Sequence, residues 1–365
     1  MVSKADKPTK KKQITPPKPE DFDSLQMDLF RNLLCNTDIE RDSLSNVFDL
    51  WDSIPRYVVS RQQQEKWRKA GTFPLLHEMP FHYRGRELMA TIQPAAVKNK
   101  DGIIQAYFPS ASEELIEDVL RKIAADQNNG YFNRKEGRSG VIFTLYMVRK
   151  ELEKRGHGRT YKEIILSLEI MGRSVIVTSM ADGKDGEFTC NSLYLNNLFR
   201  VTKGRLAEDP DAKWFADFHP FASRALDELT YRQFNYARLM SHKSQLARWL
   251  NKVLSLKYIN ASFMHPFEMR FSTIMRDSGL LNGYAVLRLA VAAVDSAFEE
   301  LQNCQPSLLG CKPEKKLIEG SRGKILDAVY TLTPSREFVA EMKAASKRQA
   351  IASDRHKLLE NKNSI

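Results

Sequence analysis

The sequence has little of what marks several common protein classes. Among 365 residues there are four cysteines, Cys35, Cys190, Cys304 and Cys311, none at CxxC spacing. That excludes a disulfide scaffold and a CxxC zinc or redox pair, and implies a reducing compartment. No apolar run approaches the roughly 18 residues a membrane helix needs. The Lys-rich start leads into no hydrophobic stretch, so neither a span nor a secretory signal is expected. No GxxxxGK[ST] occurs, which argues against ATP hydrolysis through a P-loop. Gly320-Ser321-Arg322-Gly323-Lys324 lacks the spacing and the hydroxyl after lysine and reads instead as a hairpin loop. The seven histidines, at 77, 82, 157, 219, 242, 265 and 356, form no HxH or HxxxH pair, so no zinc pair or His–His–Tyr nicking site is readable. Paired carboxylates such as Glu113-Glu114 and Glu299-Glu300 are expected at helix ends or on solvated faces. No catalytic constellation, metal or cofactor is expected.

What is present is apolar content and positive charge. Apolar residues make up 42% of the chain, enough for one or more cores and too much for global disorder. The formal net charge is +11, with a pI near 9.3, which favours a polyanionic partner without choosing among nucleic acid, anionic membrane and acidic protein. Much of it sits at the ends. Residues 1–20 carry six lysines against Asp6 and Glu20, and residues 341–365 carry six Lys/Arg against three acids. Both segments read as flexible tails, serving solubility or nonspecific phosphate binding.

Between the tails, residues 75–108 alternate as short strands, and Ser112 before Glu113-Glu114 starts a helix. Thr144 caps a helix that ends at Gly156, and Thr160 caps a second that runs to Met171. Val175–Val177 reads as a strand, Asp182–Gly186 as a hairpin loop and Phe188–Val201 as the returning strand. Helix, short turn, helix, strand, hairpin, strand is the order of a winged helix. A second copy is expected from Trp214 to Leu332: a helix over 241–257, a helix over Phe267–Arg276, a turn at Ser278–Gly283, a long helix from Tyr284, and a wing around Glu319–Lys324. Thr333-Pro334-Ser335 starts a closing helix.

The predicted fold is therefore α+β, with two tandem winged-helix domains (75–208 and 209–340). They follow a disordered basic tail (1–24) and a flexible leader (25–74), and precede a basic C-terminal tail (341–365). In the first domain Arg159, Thr160, Tyr161 and Lys162 stand where a second helix enters a major groove, with Lys184 at the wing tip. In the second, Asn282, Tyr284 and Arg288 take those positions, with Arg322 and Lys324 on the wing. The apolar residues after Tyr284 bury much of that helix, leaving its first turn and Arg288 for bases.

Gln26-Met27-Asp28-Leu29-Phe30 matches the short peptide by which bacterial proteins dock on the polymerase sliding clamp. Leu29 and Phe30 would enter an apolar pocket, while the Gln26 amide bonds at its rim. The alternative is an amphipathic turn packed on this protein's own core.

With this pentapeptide, the tandem order, Phe143-Thr144-Leu145-Tyr146 and Ser192–Val201, the chain resembles plasmid replication initiators of the RepA/TrfA type. The likeness in order covers about residues 24–335 and is strongest over 141–201. The resemblance implies a bacterial cytoplasmic, non-enzymatic initiator that binds origin repeats (iterons) in double-stranded DNA and opens the adjacent duplex. It also implies recruitment of the sliding clamp, the host initiator DnaA and the helicase DnaB, and in some members a repressing dimer. The alternatives are a winged-helix transcriptional repressor acting on its own promoter, and an enzyme such as a primase or nicking nuclease.

Overall fold

A computed structural model of the chain describes residues 43–98, 101–125, 129–133, 135–180, 188–200 and 213–363. The clamp-like Gln26–Phe30, the basic tail 1–24 and Lys184 lie outside the described residues, as does the side chain of Arg322. The fold is mixed α+β, with fifteen strands and eleven α-helices among the described residues. None of those helices is long and apolar enough to cross a membrane.

Two large apolar cores organise the chain. The first runs from Phe48 to Met240. It is built on two four-stranded sheets. One has the order β2 (His77–Tyr83), β3 (Arg86–Gln93), β8 (Val175–Met180), β9 (Phe188–Leu193). The other has the order β10 (Leu195–Phe199), β11 (Trp214–Phe218), β7 (Arg138–Phe143), β6 (Gly130–Asn133). The same core takes in α3 (Ala111–Ala125), α4 (Leu145–Lys154) and α5 (Tyr161–Met171). The stretch expected to return as one strand divides at Tyr194, so β9 pairs with β8 and β10 with β11. Tyr194 is buried and its hydroxyl donates to the Arg56 carbonyl at 2.9 Å, which turns the chain between the sheets.

Residues 43–74 are not a flexible leader. β1 (Leu44–Phe48), α1 (Asp49–Ser53) and α2 (Arg61–Ala70) are folded, and Phe48, Trp51, Ile54, Tyr57 and Val59 are buried in the first core. Trp214 to Met240 also pack there rather than with the second unit: β11 completes a sheet, α6 (Pro220–Asp227) covers it, and β12 (Tyr231–Asn235) pairs with β1. The apolar cores therefore part after α7 (Tyr236–Ser241). The expected division near residue 208 had no view of the pairing of β1 with β12, which are nearly 190 positions apart.

The second core runs from Leu246 to Met342. Its order is α8 (Gln245–Lys257), β13 (Phe267–Arg270), α9 (Phe271–Ser278), α10 (Leu287–Asn303), β14 (Glu314–Glu319) and β15 (Ile325–Leu332). Phe267–Arg270, expected as the start of a helix, is a strand, because β13 pairs antiparallel with β15 beside β14. Residues 341–363 are not a tail. α11 (Arg336–Asn363) is one helix, started by Ser335, whose hydroxyl accepts from the Phe338 N–H at 3.0 Å, and it buries Phe338, Met342 and Ala345.

Charged groups join the two units. Every described residue of α3 from Glu113 to Ala125 is buried, including Glu113, Glu114, Glu117, Asp118, Arg121 and Lys122. Glu113-Glu114 stands at a helix end, one of the two expected places, but is buried there rather than solvated. Glu117 pairs with Arg121 at 2.6 Å and Arg56 at 2.9 Å, and accepts from Trp51 Nε1 at 2.5 Å and the Tyr57 hydroxyl at 2.6 Å. Asp52 pairs with Arg121 at 2.8 Å and Arg56 at 3.0 Å. From α8, Lys252 Nζ reaches Asp118 at 2.8 Å and Glu114 at 3.4 Å. α11 adds Glu341 against Arg238 at 2.8 Å and Arg348 donating to the Gln233 side chain at 2.6 Å.

Candidate nucleic-acid interface

The α4–α5 pair is set by its caps. The Thr144 hydroxyl accepts from the Met147 N–H at 3.1 Å, starting α4. Gly156, at φ +79°, reverses the chain as only glycine does without strain, and the His157 N–H closes back on Leu152 O at 2.9 Å. His157 is an anchor: its Nε2 lies 2.7 Å from Met240 O, and burial lowers its pKa. Thr160 and Glu163 then form a reciprocal capping box on α5. The backbone and hydroxyl of Thr160 hold the Glu163 carboxyl below its ordinary range.

This geometry sorts the four residues expected at the α5 start. Lys162 and Tyr161 are exposed. The Thr160 hydroxyl is occupied by Glu163, donating to its carboxylate at 2.8 Å. Arg159 is half-buried and folds back to donate to Gly158 O at 3.0 Å. Sequence reasoning missed the neighbouring face of α4. Tyr146 is 53% exposed, the Lys150 ammonium lies 5.8 Å from its ring centroid, and the Arg149 guanidinium lies 4.9 Å over Tyr161. Cations interleaved with aromatic rings suit both phosphates and unpaired bases. The available signal was the i, i+3, i+4 spacing of Tyr146, Arg149 and Lys150 opposite the buried Leu145, Val148 and Leu152.

In the second unit α10 begins at Leu287 rather than Tyr284. The Tyr284 N–H closes a turn on Leu281 O at 3.2 Å, so Asn282 and Tyr284 belong to the exposed turn and Arg288 to the first helical turn. The β14–β15 hairpin is fixed against two helices. Asp295 of α10 accepts from Lys315 at 2.6 Å and from the Tyr330 hydroxyl at 3.0 Å. Asp327 of β15 accepts from the Ser272 N–H and hydroxyl of α9 at 2.9 and 2.8 Å. Lys316 on β14 and Lys324 after the hairpin turn are exposed. Glu299 faces Lys312 at 3.7 Å, and Glu300 accepts from the Lys243 N–H at 2.7 Å, just before α8. That pair of carboxylates thus serves the fold.

The described residues contain no group of three or more His, Cys, Asp or Glu able to hold a metal ion. Their buried carboxylates face arginine and lysine inside the protein.

No family model and no curated protein matches the sequence. Solved structures do. Domains 2 and 3 of RctB, as the selenomethionine derivative, are 11% identical with a TM-score of 0.46, covering 72% of this chain and 91% of that one. A second structure of RctB domains 2–3 is 11% identical with a TM-score of 0.44, covering 73% and 95%. The Pi initiator protein in complex with iteron DNA is 9% identical with a TM-score of 0.34, covering 81% and 99%.

Proposed function

We propose that this chain is a non-enzymatic DNA replication initiator that grips origin repeats with two winged-helix units, one within residues 75–200 and one within 245–332. The observation that carries this reading is the second unit. There, helix, strand, helix, turn, helix and hairpin follow in order, the first strand pairs with the last, and the third helix lies beside a lysine-bearing hairpin. That order supports a recognition role for α10, with Asn282, Tyr284 and Arg288 at base edges and Lys316, Lys324 and Arg322 on phosphates. In the first unit, Tyr161, Lys162, Tyr146, Arg149 and Lys150 take the corresponding role, with Arg159 and Thr160 shaping the turn and Lys184 as a further phosphate contact. Binding energy bends the repeat and lowers the cost of melting adjacent AT-rich duplex.

Gln26–Phe30 is proposed to engage the sliding clamp, and DnaA and DnaB are the proposed host partners, in the bacterial cytoplasm. The test is footprinting on the plasmid or chromosome that encodes the protein. Several evenly spaced protected repeats beside an AT-rich segment support initiation. A single protected site over its own promoter would make it a repressor.

A further inference from the structure

We propose that α10 recognises thymine by its 5-methyl group, with Leu289 and Ala292 as the residues that meet it; this rests on the DNA-binding reading above. The solvent-facing stripe of α10 is Arg288, Leu289, Ala292, Ser296 and Glu299, with Asn303 at its far, C-terminal end. A helix that reads bases mainly through hydrogen bonds carries Asn, Gln or Arg along such a stripe. Here one long donor, Arg288, is followed by a leucine 58% exposed, then by an alanine and a serine small enough for close backbone approach. Tyr284 and Val286, 43% and 51% exposed, extend the apolar surface before the helix.

The surrounding charge identifies the occupant. Asp295 and Glu299 would repel phosphates, and each is met by a lysine, Lys315 at 2.6 Å and Lys312 at 3.7 Å. The Lys315–Asp295 pair also sets β14 alongside α10, and the hairpin adds Lys316 and Lys324. An apolar strip beside cations matches a major groove, whose rails are phosphates and whose floor offers one apolar group, the thymine methyl. A purely apolar protein surface would bring no counter-charge to Lys316 and Lys324.

The test starts with selection of bound duplexes from a random-sequence library by the full chain. Each thymine of the selected site is then replaced by uracil, which removes the methyl and keeps every hydrogen bond. The expected result is a loss of about three- to five-fold at one or two positions, the worth of one buried methyl group. Leu289→Ala should abolish the thymine–uracil difference at one of them. Lys324→Ala should weaken both duplexes by the same factor and keep the difference.

A selected site without thymine, indifference to uracil everywhere, or an undiminished difference in Leu289→Ala would overturn the inference while leaving DNA binding intact. A change of oligomeric state in Leu289→Gln, with the uracil effect unaltered, would assign the stripe to a second copy and also overturn it. Failure to enrich any sequence would instead remove the DNA-binding reading beneath it.

Discussion

Thr160 gives its hydroxyl to the protein's own Glu163, accepting from one backbone N–H and donating to the carboxylate. Thr160→Ala is therefore expected to cost about 1 kcal/mol of stability in urea unfolding and to leave duplex preference unchanged. A variant of undiminished stability with altered preference would return Thr160 to the interface. His219 is a second residue with one job. It is buried, stacks on Trp51 at 4.1 Å between centroids, and accepts the Phe221 N–H on Nδ1 at 3.1 Å. Burial, with Arg56 adding to it, lowers its pKa from 6.5 to about 3. The unfolded chain therefore takes up a proton between those values that the folded chain refuses. The stability this ring contributes is whole above pH 6.5 and is lost as pH falls toward 3. His219→Asn keeps an acceptor for Phe221 and removes the titration. It should reduce the stability lost between pH 7 and pH 5 by roughly 1–2 kcal/mol, measured by urea unfolding at both values.

At the scale of elements, the proposed binding role would be divided between α10 and the β14–β15 hairpin. Arg288 stands on the exposed first turn, whereas Lys316 and Lys324 lie on the hairpin. Arg288→Ala should cost roughly 1–3 kcal/mol on a selected site and relax preference at one or two positions. Lys324→Ala should weaken selected and scrambled duplexes equally and flatten the salt dependence. Competitive binding to both duplexes checks it, and equal losses for Arg288→Ala would make Arg288 a phosphate contact. The elements most legible in the sequence were those with local punctuation. The α4–α5 pair was readable because Thr144, Gly156, Thr160 and Gly172 mark its ends. β13 was not, because four residues running straight into a helix lack a breaker and are made a strand by β15, about 60 positions away. The start of α10 was misplaced for a related reason: Tyr284 and Val286 continue the apolar pattern, although the chain is still in a turn.

At the scale of the molecule, the two cores are fastened by ions that no local pattern discloses. Glu114, Glu117, Asp118 and Arg121 look in sequence like the solvated side of an amphipathic helix, yet their partners arrive from distant segments, Asp52 and Arg56 within the first unit and Arg248 and Lys252 from the second. The helix ends that carry Arg159, Thr160, Tyr161 and Lys162 were more legible than this junction, because their caps are local, whereas the exposed face of α4 was not foreseen. Lys252 is the cation that α8 sends into α3, and removing it would leave Asp118 and Glu114 with too little positive charge inside the protein. Burial, opposed by Lys252, already pushes the Asp118 carboxyl up to about 6. Its folded value lies above its ordinary 3.8, so any stability it lends belongs to the protonated form and is lost as pH rises through about 6. Lys252→Met strengthens that dependence. The expected loss is about 3–5 kcal/mol at pH 8 and less at pH 5.5, where Asp118 can carry a proton. Because the lost pair joins the two cores, calorimetry should show the single transition of the parent chain resolving into two, the earlier one moved by pH. Replacing both partners, Lys252→Met with Asp118→Leu, removes the stranded charge and should recover much of the loss and rejoin the transitions. A Lys252→Met chain that still unfolds in one step, with equal loss at both pH values, would mean that packing of α11 on β12, not the α3–α8 ion pair, couples the two units.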